Sequence, residues 1–162
     1  MDNAWGEGEM KLREAKKIDA NDVVKLVLGV NTYERQFDST LRKFSKEKTR
    51  KWFFKKLKDR NSKIFVASDK GKVVAFCSGC IMKKPTFFTI KYAGYCDDLF
   101  VLPSYRRRGI AKELLNNLLM WFKSKKIKYF EIESYANNDV AIKAYHSFGF
   151  KDYLLKLRKV IL

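Results

Sequence analysis

The chain has 162 residues, with 35 Lys and Arg against 18 Asp and Glu, and a formal net charge of +17. Its 46% hydrophobic and 15% aromatic content supports one buried core and excludes a disordered tail. The longest apolar runs are far short of a membrane span, so no membrane partner is expected. The positive field attracts acidic proteins, nucleic acid or anionic surfaces.

Residues 1–9, acidic and glycine-containing, read as a flexible lead-in with neither the basic nor the apolar region of a signal peptide. Residues 10–162 read as a single domain. Three cysteines, Cys77, Cys80 and Cys96, form no disulfide framework, which fits a reducing, cytoplasmic setting.

Met10 to Ala15 alternates weakly and predicts a strand. Asp19 to Asp22 offers a helix cap, followed by an apolar face of Val23, Val24, Val27, Leu28 and Val30. A second helix is expected from Thr40 to Lys58, anchored by Leu41, Phe44, Trp52, Phe53 and Leu57. Ten basic residues lie between Thr40 and Arg60, against only Glu47 and Asp59. Such a run is ordinarily a solvated face, and the alternative is a patch for nucleic acid or an acidic partner. No RNA-binding signature accompanies it.

Lys63 to Ser68 and Lys72 to Met82 read as a hairpin around Asp69-Lys70-Gly71. Cys77 and Cys80 fall in its second strand, where residues three apart face opposite sides, so a redox pair is not expected. With His146 as the one histidine, a zinc site is not expected either. Thr86 to Val101 contains the next strand or strands. Ile110, Ala111, Leu114, Leu115, Leu118, Leu119 and Phe122 then recur at helical spacing. Tyr129 to Ser134 reads as a strand. Asn137-Asn138 caps a fourth helix carrying Val140, Ala141, Ala144, Tyr145 and Phe148, and Gly149 stops it. Lys151 to Ile161 reads as a last strand. The order predicts an α/β fold with a mixed, mostly antiparallel central sheet flanked by about four helices.

The most informative stretch joins the apolar run Leu99-Phe100-Val101, through Pro103, to Arg106-Arg107-Arg108-Gly109-Ile110-Ala111 and the third helix. A strand that turns through glycine into a helix leaves first-turn N–H groups without intrahelical acceptors. Those amides and the helix dipole favour an anion, and the arginines suit phosphate. Cations at a helix start oppose the dipole, and an anionic ligand explains them. The motif is neither a P-loop nor a dinucleotide fingerprint.

Arg106, Gly109 and Ala111 spell R-x-x-G-x-A, which resembles the acetyl-CoA loop of the GNAT N-acetyltransferases. Asp97-Asp98-Leu99-Phe100-Val101 before it, and Asn138, Ala141, Tyr145, Gly149 and Phe150 after it, stand at family-like spacing. The resemblance covers the chain from about Met10 onward, the first third only in element order. It implies acetyl-CoA as cosubstrate, held by Arg106, Arg107, Arg108, Gly109, Ile110, Ala111 and Lys112, with Asn138 as a further contact. It also implies that the main chain of Leu99, Phe100 and Val101 pairs with the pantetheine arm. Tyr145 is the expected general acid toward the leaving sulfur, against the plainer reading of a core aromatic. Asp97 is the expected base, through a water, with Asp98 and Glu133 as alternatives. Cys96 as a nucleophile is disfavoured, and no metal is implied.

The expected activity is acetyl transfer to a primary amine by direct attack in a ternary complex. A non-catalytic CoA sensor, or a binding module using residues 40–60, are the alternatives. The acceptor stays open among a small amine, a polyamine and a peptide, and a homodimer is left open.

Overall fold

The computed structural model describes residues 10–161; the expected lead-in, 1–9, lies outside them. Five strands form one sheet in the order β1-β2-β3-β4-β5. They are β1 (Lys11–Glu14), β2 (Ser62–Asp69), β3 (Lys72–Lys83), β4 (Tyr92–Val101) and β5 (Phe130–Ile132). The first four pair antiparallel. β5 is parallel to β4. The helices are α1 (Ala20–Glu34), α2 (Lys46–Lys58), α3 (Ile110–Ser124) and α4 (Asp139–Phe148). The mixed α/β architecture is the one the element order predicts.

Alternation along the strands sorts the apolar residues into two cores. Phe65, Ala75, Cys77 and Cys96 face Ile110, Leu114, Leu118 and Phe122 of α3. Ile64, Val66 and Phe76 face Val23, Val27 and Val30 of α1 and Phe53 of α2. Fully burying a side chain such as Leu118 or Phe122 stabilises by about 1.5–3 kcal/mol. α3 sits very close to the sheet at two glycines. A Cβ on Gly79 would lie 2.8 Å from Leu118, and one on Gly94 2.7 Å from the Phe122 ring.

Three boundaries differ from the sequence reading. α2 starts at Lys46 because buried Asn31 captures the chain before it. Asn31 Nδ2 donates to the Arg42 carbonyl at 3.1 Å, and its Oδ1 accepts from the Phe44 amide at 2.9 Å. Ser45 then caps α2 by accepting from the Lys48 amide. The 86–101 region is a single strand, β4, entered from a turn that the Lys84 and Lys91 main chains close. The expected last strand is corrected: residues 151–161 join no ladder, and their side chains are exposed.

Candidate active site

β4 carries an extra residue. Ser78 of β3 stands opposite Asp98 and Gly79 opposite Cys96, so Asp97 has no partner and forms a β-bulge. The β4–β5 ladder ends at Cys96 and Ile132. β4 continues to Val101 with its far edge turned toward a gap instead of a strand. Leu99, Phe100 and Val101, expected to offer main-chain groups, line that gap.

Pro103–Tyr105 then form one 3-10 turn, and Gly109 opens α3. Gly109 has φ +77°, in the left-handed region that glycine adopts without penalty. A Cβ there would meet nothing within 4 Å, so the space over the loop is open. The first-turn amides of Ile110, Ala111 and Lys112 point out of the helix start beside it. These residues fit a ligand that carries a pyrophosphate. The three arginines separate in role. Arg106 is exposed but tied to the fold: its Nε donates to the Val101 carbonyl at 3.0 Å, and its guanidinium lies over the Tyr33 and Phe100 rings. Arg108 donates to the Ser104 carbonyl and covers the Tyr105 ring. Arg107 is exposed, with φ +61°.

Asn138 caps α4, accepting from the Ala141 amide at 3.3 Å, and accepts from the Tyr33 hydroxyl at 3.4 Å. Two turns along α4, Tyr145 is partly buried against the α3-side core. Burial raises its hydroxyl pKa, and nearby Cys96 and Cys77, then Glu34 and Asp98, raise it further. Tyr145 packs on the α3-side core, close enough to Cys96 and Asp98 for both to act on its hydroxyl.

The three candidate bases occupy different surroundings. Asp97 Oδ2 is 2.6 Å from Lys56 Nζ, and its Oδ1 accepts from Cys80 Sγ at 3.4 Å. Asp98 Oδ2 accepts from the Ser78 hydroxyl at 3.0 Å. Burial raises the Asp98 pKa, Ser78 opposes this, and Asp97 adds to it. Glu133 is exposed, and after burial its charge is the next cause that raises the Tyr95 pKa. Sequence reasoning missed Glu34, at the end of α1, whose pKa burial and then Asp98 raise. It also missed Tyr33, Ser78 and Lys56. Only the fold brings α1 and α2 against the bulge, so no local pattern could reveal them.

Cys96 lies 3.6 Å from Cys77, Sγ to Sγ, and both are buried. The Cys77 contact and burial raise the Cys96 pKa well above the ordinary thiol value, which suits packing and not attack. Cys80 faces the opposite side, beside Asp97.

Residues 30–150 match the acetyltransferase (GNAT) family model. The chain is 29% identical over 142 residues to an uncharacterized N-acetyltransferase of Methanocaldococcus jannaschii, covering 87% of this chain and 60% of that protein. It is 26% identical over 96 residues to an aminoglycoside N(6')-acetyltransferase of Salmonella typhimurium, covering 54% and 61%. The chain thus spans about 60% of the length of these relatives. A Bacillus halodurans protein of known structure superposes with TM-score 0.85 at 22% identity, over 94% of this chain and 99% of that one. An aminoglycoside N-acetyltransferase crystallised with CoA superposes at 0.76 and 19% identity, over 94% and 95%. The structural likenesses speak to the fold.

Proposed function

The chain belongs to the acetyltransferase (GNAT) family, and we propose that it moves an acetyl group from acetyl-CoA to a primary amine of a small, multiply charged acceptor. One observation carries the reading. In a chain of net charge +17, Asp97 and Asp98 stand side by side at the β4 bulge, Asp97 paired with Lys56 and Asp98 bonded to Ser78, and Glu34 and Tyr145 lie close enough for Asp98 to raise the pKa of each. A locally acidic cleft is what a polycation requires and what the overall charge does not supply. The aminoglycoside N(6')-acetyltransferase relative and the aminoglycoside N-acetyltransferase that carries CoA support this acceptor class.

Acetyl-CoA, when bound, supplies an activated acetyl thioester. The amides of Ile110, Ala111 and Lys112, with Arg107 and Lys112, would hold its phosphates over Gly109. Leu99 to Val101 would line its arm along the open edge of β4. Asp98 would take the acceptor's ammonium proton. Asp97 already spends both oxygens on Lys56 and Cys80, whereas Asp98 keeps one oxygen clear of its Ser78 bond. Its raised pKa suits a base that must first ionise and then hold a proton. The amine then attacks the carbonyl directly, with no acyl-enzyme. Tyr145, kept protonated by its raised pKa, would donate to the departing sulfur. That thiol has a pKa of about 8.5, so the help required is modest. Arg106 and Asn138 act behind this set. Arg106 fixes the end of β4, and Asn138 fixes the start of α4.

Free-thiol release should be measured with acetyl-CoA and a panel of an aminoglycoside, a polyamine and a lysine peptide. The polycationic small molecules should be acetylated at least about tenfold more efficiently than the peptide, a difference of about 1.4 kcal/mol in transition-state binding. A faster peptide reaction would overturn the acceptor class. Tight CoA binding with no thiol release on any amine would leave a cofactor sensor.

A further inference from the structure

α2 turns a line of lysines to solvent. Thr49 and Phe53 are buried, while Lys48, Lys51, Lys55 and Lys58 are exposed. These four stand three, four and three residues apart, which puts them on one face of the helix along about 15 Å. Lys51 pairs with Glu47, and both side chains are about three-quarters exposed. The other three form no ion pair among the described residues. Nor does α2 expose a large apolar side chain.

The stripe runs into a cleft that only the fold assembles. α2 packs on one face of the sheet and α3 on the other, yet their last residues meet at one end of it. There a cavity of about 360 Å³ is lined by Lys58, Arg60, Lys63 and Lys125, with Glu14 and Asp59. Its acids are already engaged. Glu14 accepts from Lys63 at 2.6 Å, and Asp59 accepts from the Ser62 hydroxyl at 2.7 Å and the Asn61 amide at 2.9 Å. Lys58, Arg60 and Lys125 are exposed and leave the cleft positive.

Lysines in the last turn of a helix complement its dipole, and Lys55 and Lys58 do so for α2. That effect fades within one turn, so it does not account for Lys48 and Lys51 on the same face, or for Arg60 and Lys63 beyond the helix.

We propose that the outer face of α2 and the cleft at its end form one binding surface for the sugar–phosphate backbone of a nucleic acid, read without sequence preference. Protein interfaces are depleted in lysine and built around apolar and aromatic anchors, which this face lacks. An amphipathic helix that enters a membrane surface needs an apolar side, and the apolar side of α2 is spent on the core. Lysine ammonium groups bind phosphate as point charges and carry no base-reading geometry. Gly109 and Lys125 bound the 15-residue α3, so this surface lies about 22 Å from the proposed cofactor phosphate loop.

Fluorescence anisotropy with a labelled DNA duplex of about 20 base pairs, in two unrelated sequences, should show equal binding of both at about 50 mM salt. Lys48, Lys51, Lys55 and Lys58, changed together to Gln, should weaken binding by at least about tenfold and make the salt slope shallower by about 3–4. The same loss of charge at Lys70, Lys72, Lys143 and Lys151 should have a far smaller effect. Saturating CoA should leave the affinity unchanged. Should the stripe variant not fold, Arg60→Gln with Lys125→Gln tests the cleft, with a slope shallower by about 2. A duplex RNA of equal length separates the two sources: tighter binding of one names it, and equal binding means that the backbone alone is read. Five results would overturn the proposal: no binding of either duplex by the wild type, strong preference for one of the DNA sequences, equal losses in the stripe and control variants, displacement of the duplex by CoA, or tighter binding to phosphatidylserine vesicles than to either nucleic acid.

Discussion

Lys56 of α2 and Asp97 of the β4 bulge meet with Nζ 2.6 Å from Oδ2, and their side chains are only 12% and 26% exposed. The lysine belongs to the most basic stretch of the chain, yet it turns inward, over the Trp52 ring. The aspartate is the residue that the extra position in β4 pushes out of the ladder. Their contact ties the helix layer to the strand at the point where the gap opens.

Replacing Lys56 by Ala leaves a poorly solvated carboxylate behind. Thermal unfolding should show a loss of about 1.5–3 kcal/mol, the range for a hydrogen bond to a charged group. The change should also reach Cys80. Burial and then Asp97 hold that thiol up at about 11, and Lys56 opposes them. Without the lysine the thiol moves higher still, so its alkylation by iodoacetamide at pH 8, slow in the wild type, should slow further.

Asp98→Asn and Asp97→Asn separate the two carboxylates. The base must be ionised, so the rate rises with pH through its pKa. Loss of Asp98 should move the rising limb of the pH–rate profile to higher pH, and loss of Asp97 should move it less. Stability gives a second readout. The folded pKa of Asp98 lies above its unfolded value, so the folded state binds the proton more tightly. Stability is therefore greater below the unfolded pKa and falls as pH rises through the folded one. Asp98→Asn should raise the melting temperature at pH 7 relative to pH 4 while activity falls. A reversed order in the two profiles would return the role to Asp97.

Tyr145→Phe keeps the ring, which packs near Phe150 at 6.1 Å, and removes only the hydroxyl. Turnover should fall about 10²–10⁴-fold, as for loss of a positioned acid. The Michaelis constant for acetyl-CoA should change far less. Turnover within twofold of wild type would make this side chain only a packing aromatic.

Gly109→Asp places a carboxylate in the open space over the α3 start and forces a non-glycine residue to φ +77°. The strain is worth roughly 1–2 kcal/mol. The negative charge opposes phosphate, so calorimetry should find no CoA binding. Gly109→Ala should show the strain in the melting temperature, with a smaller loss of affinity. Undiminished affinity in a folded Gly109→Asp protein would move the phosphate site elsewhere.

Reversing Lys46, Lys48, Lys55 and Lys58 to Glu tests the exposed face of α2, which leaves the inward-turned Lys56 untouched. Acetyl transfer to a small amine and CoA affinity should be unchanged. Any RNA or DNA binding should weaken, with a flatter salt dependence, because fewer counterions are released. A large drop in CoA affinity would mean that α2 helps to hold the cofactor's phosphates.

α3 was legible because its apolar residues keep helical spacing over 15 residues and bury against a sheet. The turn before it was legible because Gly109 and Ala111 stand where such a turn needs small residues. The roles of the arginines were not. Side chains adjacent in sequence point to different neighbours, and Arg106 is claimed by rings from α1 and β4. The start of α2 was misread because Asn31, eleven residues upstream of Arg42, binds the connecting chain. The strand expected over 151–161 is absent, because a strand needs a neighbour, and composition does not say where the neighbour is. The nearness of these acids was invisible for a similar reason: Glu34 and Asp98 are 64 positions apart and come within electrostatic reach only through the packing of α1 on β4.

The unequal strand ladders have a consequence for amide exchange. β3 and β4 share nine residue pairs, while β4 and β5 share three. Sub-global opening follows the weakest seam in a structure. Amides of β5 should therefore exchange with deuterium well before those of β3, and those at the end of β4 should follow β5 and not their own strand. A ligand lying along the edge of β4 would bridge that seam and slow exchange on both sides at once. Protection in β5 would then report occupancy of the gap without any turnover.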